Sequence, residues 1–537
     1  MVDPGVPRTP TRDELIRADM RDLHRLGYAQ QLYREMGGFS NFAISFSIIS
    51  ILTGAIQLFG YGLQFAGPVI NTYGWPLVSL FVLCVAASMA ELASAYPTAG
   101  GLYFWAHRLG GPRWAWVTAW FNMIGQVTIT AGIDYAAAQF IVGAVNRIAG
   151  TALPTDTAAT VTAMAIIMLP QALINVFGIR LTARLNDFSV YWHISGVLLI
   201  AALLLVLGRH AQPLAFLFQH REVVRPAELA ASFAVGPWSI DSLMLHLPGM
   251  RALYASGGLG LAFVLGLLQA QWTYTGYDAS AHVAEETVMA RLNSAWGVFL
   301  SVAVSAVVGY AMLLVLTLHV PDVAATVDAA HAPAVLYLAY ANLPLWGGHL
   351  VAIVIGVAMW LCGLSSITSM SRMWFAFARD GGMPGHEWIK RIHPQWRTPV
   401  WSIAVTCALA LLLTMYAALY SVVVAISTTT LYLAYALPIY LNLRNKLRGR
   451  GESTTPATAP WSLGRWGVPL NCVAVAWVAC ITVLFSIPPN ELAGWSMVLL
   501  CAGMAVYWMV DARHRFRGPQ PSAESELRRI EADLSGR

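Results

Sequence analysis

The feature that most constrains this chain is a succession of apolar segments, each long enough to cross a bilayer. A helix needs about 20 apolar residues for that, and segments of this kind recur along most of the 537 residues. Only 11% of the residues are charged, against about a quarter in soluble domains. Backbone polar groups must be paired internally in lipid, so such segments fold as helices. The sequence therefore predicts an all-α polytopic membrane protein.

Twelve transmembrane helices are predicted, and the basic residues orient them. The predicted spans cover 39–66, 75–95, 114–145, 158–178, 188–208, 259–284, 295–319, 345–378, 399–417, 419–442, 468–486 and 493–511. With the N-terminus inside, 27 of the 32 Lys and Arg residues fall on the cytoplasmic side, and five fall in outer loops: Arg147, Arg209, Arg221, Arg225 and Arg251. The positive-inside rule then predicts that both termini are cytoplasmic, and the plasma membrane is the expected location. This distribution accounts for the net charge of +5 without a nucleic-acid partner.

Two of the predicted spans carry a Thr-Gly pair near their centres. Thr53-Gly54 lies in the first span and Thr275-Gly276 in the sixth. Transporters with inverted repeats interrupt paired helices at the midplane, where the freed backbone groups bind substrate and ion. We therefore predict a 5+5 inverted repeat with discontinuous helices 1 and 6. The alternative is that glycine only allows close helix packing, and this reading is favoured for Gly60 and Gly62.

Four segments carry a family resemblance that extends over about residues 26–510. They are AELASAYPTAGGLYFW (Ala90–Trp105), NVFGIRLTARLNDFSVYWH (Asn175–His193), WTYTGYDASAHVAEET (Trp272–Thr287) and SRMWFAFARDGGMPG (Ser371–Gly385). The chain resembles the amino acid/choline transporter branch of the amino acid–polyamine–organocation (APC) superfamily, and is similar to GABA permeases. The resemblance implies a LeuT-type fold that transports amino acids or related amines, such as γ-aminobutyrate, by alternating access. Choline or another organic amine is the alternative substrate.

The predicted organisation places the transport core between polar ends. Residues 1–37 form a cytoplasmic segment with a short surface helix, 38–443 the core, 444–467 a cytoplasmic linker, 468–511 the last two helices and 512–537 a cytoplasmic tail. Two outer loops are long. The loop at 209–258 contains short apolar pieces and exceeds the length typical of relatives, and the loop near 320–345 contains a helix-forming segment.

The two Thr-Gly segments supply the candidate substrate site. Its predicted residues are Thr53, Gly54, Ala55, Tyr274, Thr275, Gly276, Tyr277 and Asp278. Backbone N–H groups at 53–55 would bind a substrate carboxylate, because the following half-helix presents its positive end there. The aromatic side chains, including Trp272, would cover the substrate and attract an ammonium group, or they pack only against neighbouring helices.

Asp278 has three possible roles. Its carboxylate would pair with the substrate ammonium, accept hydrogen bonds from the unwound backbone, or carry a coupling proton if its surroundings are dry. The candidates for ion coupling are His193, His282, Ser365 and Ser366. Either histidine would carry a proton or pack as a neutral ring, and the serine hydroxyls would bind Na⁺ or join helices. H⁺ symport, Na⁺ symport and exchange therefore stay open, and no other cofactor and no bound metal are expected.

Charged residues near the cytoplasmic helix ends predict an inner gate. The candidates are Glu91, Glu285, Arg180 and Arg372, and Glu286, Arg184 and Arg379 are further charges in the same segments. Interfacial charge without gating is an equal alternative for Glu286 and Arg184. Arg379–Gly382 is expected to be the turn that ends the eighth span.

Other functional classes lack their sequence signatures. HExxH, GxSxG and Walker-type loops do not occur in the sequence, which argues against an enzyme or an ATP-driven pump. A channel would be expected to show a filter repeat, and a membrane sensor would carry a soluble domain longer than these tails. The sequence predicts a secondary active transporter and leaves its oligomeric state open.

Overall fold

The computed structural model describes residues 10–221, 223–224, 249–328, 333–415, 420–450 and 459–535. Within these ranges the regular structure is helical, apart from one isolated parallel bridge between Met36 and Thr287. The all-α prediction is confirmed for the part of the chain described.

The first half contains nine α-helices in the described residues. They are α1 (Arg12–Arg25), α2 (Gly38–Ile49), α3 (Gly54–Gln57), α4 (Phe59–Ala66), α5 (Trp75–Ala95), α6 (Leu102–Gly110), α7 (Pro112–Ala149), α8 (Thr157–Phe177) and α9 (Ile179–Leu207). A π-helical turn, Ile70–Gly74, leads directly into α5.

Fifteen more α-helices follow in the described ranges after residue 248. They are α10 (Met250–Ser256), α11 (Gly258–Gly266), α12 (Leu268–Thr273), α13 (Ala279–His282), α14 (Ala290–Leu318), α15 (Val323–Val327), α16 (Ala334–Asn342), α17 (Leu345–Arg379), α18 (His386–Ile389), α19 (Val400–Thr414), α20 (Tyr420–Leu447), α21 (Gly467–Leu484), α22 (Glu491–Tyr507), α23 (Arg513–Arg515) and α24 (Glu524–Ser535).

Fewer than twelve helices qualify as membrane spans in the described residues. Ten helices in the described residues are long and apolar enough to cross a membrane, and an eleventh span results if α10 is joined to Gly258–Thr273, from which it is bent by 102°. The predicted span at 399–417 corresponds to α19, which has only 15 residues and ends just before residues 416–419, which lie outside the description. The chain is therefore a multi-pass membrane protein, but twelve spans are not confirmed.

Several helix boundaries differ from the predictions, and glycines set two of them. Gly178, with φ +142°, separates α8 from α9, so the fifth span begins at Ile179 rather than at 188. The helix α6, which the sequence did not predict, lies between Gly101 and Gly111, both with positive φ. The predicted linker from 444 begins inside α20, which continues to Leu447.

The surface helices lie where they were predicted. Thr11 and Glu14 cap the start of α1 reciprocally, which satisfies orphan N–H groups at its end, and α16 forms within the loop near 320–345. Of the loop at 209–258, residue 222 and residues 225–248 lie outside the described ranges, and so do Arg225 and most of the predicted apolar pieces. The described ends of the chain meet on one side of the molecule, because Glu531 accepts a hydrogen bond from the Gln30 N–H at 2.8 Å.

Both predicted interruptions are present. The first span stops at Ile49, passes through Ser50 in a left-handed conformation and resumes at Gly54. The sixth stops at Thr273 and resumes at Ala279, with Gly276 at φ +84° between them. Positive φ strains residues with a Cβ atom, so glycine suits this position. The interrupted spans lie in the centre, where α2 packs against α9, α14 and α17, and α12 against α3 and α20.

Candidate functional site

The two interruptions are in direct contact. A Cβ atom on Gly276 would overlap the Ile48 side chain, and one on Gly54 would lie 2.8 Å from Thr273 Cα. The Ser45 hydroxyl donates to the Tyr277 carbonyl at 2.8 Å, which ties the first half of span 1 to the unwound part of span 6. Glycine is therefore needed at both interruptions for the two backbones to approach.

The space between the interruptions is closed in this conformation. A cavity of about 10 Å³ remains there, lined by Ile48, Ile49, Thr53, Gly54, Ile129, Ile133, Trp272, Thr273 and Thr275. This volume is at the lower limit for a single water molecule. The N–H groups of Thr53 and Gly54 donate to the Ser50 carbonyl at 2.7 and 3.0 Å. A substrate carboxylate would have to displace that turn to use them, and Ala55 is fully buried beside it.

Two tyrosines of α20, which the sequence analysis did not single out, cover the interruption of span 6. The Tyr435 hydroxyl accepts from the Gly276 N–H at 3.1 Å and donates to Asp278 Oδ1 at 2.8 Å. Tyr432 donates to the Tyr274 carbonyl. The Tyr277 ring lies 4.9 Å from that of Tyr435, centroid to centroid. The polar run STTTLY in an otherwise apolar span was the signal that could have identified this face.

The other predicted aromatic residues, Tyr274 and Trp272, form hydrogen bonds with neighbouring side chains. The Tyr274 hydroxyl lies 2.6 Å from Ser79 Oγ, and the Trp272 indole donates to Ser427 Oγ at 3.1 Å. Thr275 Oγ1 donates to the Trp272 carbonyl at 2.5 Å. The Tyr277 hydroxyl is buried without a hydrogen-bond partner among the described residues.

Asp278 is fixed by side chains rather than by the unwound backbone. Its Oδ2 accepts from Asn122 Nδ2 at 2.9 Å and Gln126 Nε2 at 3.0 Å, and its Oδ1 accepts from Tyr435. The carboxyl is completely buried. Sequence reasoning missed both amides of α7, although Asn122, Gln126, Thr130 and Asp134 recur every four residues. That spacing places polar side chains on one face of a helix.

His282 lies within hydrogen-bond distance of Asp278. Its Nε2 lies 3.0 Å from Asp278 Oδ2, and its Nδ1 lies 3.1 Å from the Ala99 carbonyl oxygen. Both ring nitrogens therefore face acceptors. The contacts are satisfied by an imidazolium beside a carboxylate, or by a neutral ring beside a protonated carboxyl. Both arrangements hold the same number of protons, and the buried pair remains neutral in total.

His193 contacts the interruption of span 1. Its Nδ1–H donates to the Ser189 carbonyl at 2.7 Å, and its Nε2 lies 2.7 Å from Ser50 Oγ. Ser50 Oγ in turn lies 2.6 Å from Thr53 Oγ1. With Nδ1 committed as a donor, protonation of Nε2 would reverse the direction of the Ser50–Thr53 hydrogen bonds.

The candidate sodium ligands on α17 join helices. Ser365 donates to the Leu361 carbonyl at 2.9 Å and also contacts Asn186 on α9. Ser366 Oγ lies 2.6 Å from Thr130 Oγ1 on α7. Both hydroxyls thus have protein partners in this conformation.

Two buried ion pairs lie on the side of the molecule that carries the chain ends. Arg379 donates to both carboxylate oxygens of Glu285 at 3.0 Å. Arg372 lies 3.1 Å from Glu286, and both side chains are almost completely buried. Burial raises the pKa of Glu286, and the neighbouring Arg372 acts against that shift. Glu286 is therefore a buried partner of Arg372 in this conformation.

The other two gate candidates lie apart from these pairs. Glu91 pairs with Lys446 and accepts from Asn442 at 3.0 Å, which links α5 to α20. Arg180 donates to Glu35 at 2.7 Å and leaves 77% of its side chain exposed. Neither contacts Glu285 or Glu286 through an ion pair in the described structure.

A larger cavity opens beside the second half of span 1, beyond its interruption. It measures about 560 Å³ and is lined by Gln57, Gly60, Tyr61, Gln64, Gln139, Val142, Gly143, Thr155, Thr160, Thr326, Val327, Asp328, Pro333 and Ala334. The closed space between the interruptions therefore lies between this cavity and the ion pairs. Two interrupted helices in contact between a cavity and buried ion pairs are an arrangement typical of membrane transporters.

Comparison with known proteins identifies the transporter family to which the chain belongs. The chain belongs to the amino acid permease family, whose model matches residues 36–510. Amino-acid permease BAT1 of Arabidopsis thaliana is 35% identical, over 93% of this chain and 95% of the relative. The BAT1 homolog of Oryza sativa subsp. japonica is 34% identical, over 93% and 94%. A putative polyamine transporter of Candida albicans is 24% identical, over 96% and 91%. The chain is thus a transporter of amino acids or amines, as the four segments predicted.

Proposed function

We propose that the protein is a secondary active transporter that moves amino acids by alternating access. The observation that carries this proposal is the contact between two interrupted helices, placed between an open cavity and two buried ion pairs. In the proposed cycle, span 1 and span 6 move apart to admit a substrate between Gly54 and Gly276. A LeuT-type arrangement of two five-helix repeats would supply this motion.

Amino acids, including γ-aminobutyrate, are the proposed substrates. Support comes from the plant amino-acid permeases, which match over nearly their whole length, and from the site itself. The N–H groups at residues 53–55 would suit a carboxylate that displaces the Ser50 turn, and the tyrosine rings around Tyr277 suit an ammonium group. The more distant polyamine transporter makes organic amines, choline among them, the comparison set.

We further propose that transport is coupled to protons. His193 supports this proposal because its Nε2 contacts Ser50 at the interruption itself, so its protonation changes the hydrogen bonds of the substrate site. The Asp278–His282 pair offers a second proton-binding group beside it. Sodium is a weaker candidate because Ser365 and Ser366 already bridge neighbouring helices.

We propose that the protein lies in the plasma membrane. Both ends of the chain would then lie in the cytoplasm. Support comes from the excess of Lys and Arg on that side of the sequence. Glu285–Arg379 and Glu286–Arg372 would then form the closed inner gate, and the 560 Å³ cavity would be the outer vestibule.

Uptake into liposomes tests the proposal. Purified protein is reconstituted and offered labelled amino acids, γ-aminobutyrate, choline and a polyamine, with and without an inward proton gradient. Saturable amino acid uptake that the gradient increases and a protonophore reduces is the expected result. Equal uptake without any gradient would indicate exchange or facilitated diffusion. Non-saturable flux would indicate a channel. If no substrate is taken up, the remaining hypothesis is that the protein is a membrane sensor.

Coupling is tested with His193→Gln, which retains a hydrogen-bonding side chain and removes the titrating ring. We expect the variant to bind substrate, as measured by a ligand-induced rise in thermal stability, and to lose the effect of the proton gradient. His210→Gln is the matched control because the His210 side chain is exposed. Unchanged gradient dependence in His193→Gln would remove this residue from the coupling mechanism.

A further inference from the structure

Asp134 is a second buried carboxyl at the depth of the membrane, separate from Asp278. It lies on α7, is completely buried and accepts one hydrogen bond, from Gln171 Nε2 to Oδ1 at 3.1 Å. Its Oδ2 has no hydrogen-bond partner, and within the described residues no ion pair includes it. The thiols of Cys362 and Cys407 lie near this carboxyl, and neither is a cation.

The neighbouring helices leave a space that the Asp134 side chain fills. A Cβ atom on Gly363 would collide with Asp134 Oδ1 and with Gln171 Nε2, so the glycine of α17 leaves the space that this side-chain pair occupies. Gln171 also donates to the Trp360 carbonyl at 2.9 Å. The carboxyl is thus held between α7, α8 and α17 in a pocket without a charged partner in the described structure.

The energetic comparison favours the protonated acid. An ionised carboxylate without a cation loses its hydration and keeps only one amide donor, which is a large cost in a membrane interior. A neutral carboxyl that lacks one hydrogen bond costs far less. We propose that Asp134 is a proton-binding site that is occupied in this closed conformation, distinct from His193 and from the Asp278–His282 pair. The ligand of the site is the proton itself.

Gln171 and Asn175 connect this carboxyl to the inner ion pair, in part through the backbone carbonyl of Gln171. Asn175 Nδ2 donates to the Gln171 carbonyl at 3.0 Å, and Asn175 Oδ1 accepts from Thr368 at 2.7 Å and from Arg372 Nη1 at 3.5 Å. Arg372 is the partner of Glu286. Loss of the proton would therefore place a charge at one end of a polar path that ends at the gate. Only this role in transport depends on the proposed function.

Infrared spectra of the purified wild type and its variants test the site without a transport assay. The wild type should show a carboxylic-acid C=O band at neutral pH that is missing in Asp134→Asn and retained in Asp278→Asn. The asparagine keeps an oxygen for Gln171, so the variant is expected to fold. A wild-type spectrum without such a band overturns the proposal, and this result does not depend on any variant.

Two further outcomes of the same experiment contradict the proposal. A band of equal intensity in Asp134→Asn would assign the acid to another residue. A band that vanishes in sodium chloride but persists in potassium chloride would assign the site to sodium. If the band behaves as expected and no substrate is transported, the proton site stands and the proposed function fails.

Discussion

Glu285 and Arg379 form a two-armed ion pair directly after the interrupted sixth span, with both N···O distances at 3.0 Å. The Glu285 side chain is completely buried and that of Arg379 is 11% exposed. Glu285 also accepts from the Ala99 N–H at 3.0 Å, and the Arg379 guanidinium lies 4.0 Å from the centre of the Tyr28 ring. The pair therefore joins the N-terminal segment, the turn between α5 and α6, and α17 on one side of the molecule.

Removing both partners of this pair should destabilise the protein by less than the sum of the two single losses. Glu285→Gln leaves a guanidinium without its counter-charge, and breaking a buried pair costs about 3–5 kcal/mol. In Glu285→Gln/Arg379→Gln the loss should be smaller than the sum of the single variants. Thermal unfolding in detergent measures both, and Glu524→Gln, in an exposed pair with Arg528, is the control. Additive losses would show that the two side chains act independently.

Gly276→Ala should abolish uptake and reduce stability. The residue adopts φ +84°, and its new methyl group would overlap the Ile48 side chain. Overpacking of this kind costs about 1–3 kcal/mol, and the two interruptions could no longer approach. Gly260→Ala in α11 is the matched control, because a Cβ atom there meets nothing within 4 Å. Wild-type uptake by Gly276→Ala would show that close approach of the interruptions is not required.

The interruptions could be predicted because a Thr-Gly pair inside an apolar span is a local signal. Asp278 and His282 could be predicted for the same reason, since ionisable residues in such a span require an explanation. Their partners are contributed by other helices. Nothing local in the sequence indicates that Asn122 and Gln126 contact Asp278. The same holds for the ion pairs: Arg372 pairs with Glu286, and Arg180 pairs with Glu35. Pairing of this kind depends on tertiary packing, which a pattern along one helix does not contain.

Asp380, which follows α17, should make stability depend on pH. Burial raises the pKa of its carboxyl above the ordinary value of 3.8, while Arg379 and hydrogen bonds from Tyr103 and Tyr28 oppose the shift. A raised pKa in the folded state means that folding takes up a proton. This stabilisation is complete below the unfolded pKa and is lost as the pH rises through the folded value, by about 1.4 kcal/mol for each pKa unit.

Asp380→Asn cannot titrate and is the control for this dependence. Thermal unfolding of both proteins should be measured from acid to neutral pH. The wild type should lose stability relative to the variant as the pH rises. A constant difference between the two proteins across this range would show that the Asp380 carboxyl has the same pKa in the folded and unfolded states.

Asp278→Asn should reduce uptake to background while the protein still folds. The carboxyl faces donors from Asn122, Gln126, Tyr435 and, when protonated, His282. An amide NH₂ in place of Oδ2 would oppose donors, and each unsatisfied buried group costs about 1–3 kcal/mol, so the melting temperature should fall. Asp511→Asn, at a carboxyl that is 47% exposed, should change neither quantity. Normal uptake by Asp278→Asn would exclude this carboxylate from transport, whatever its effect on stability.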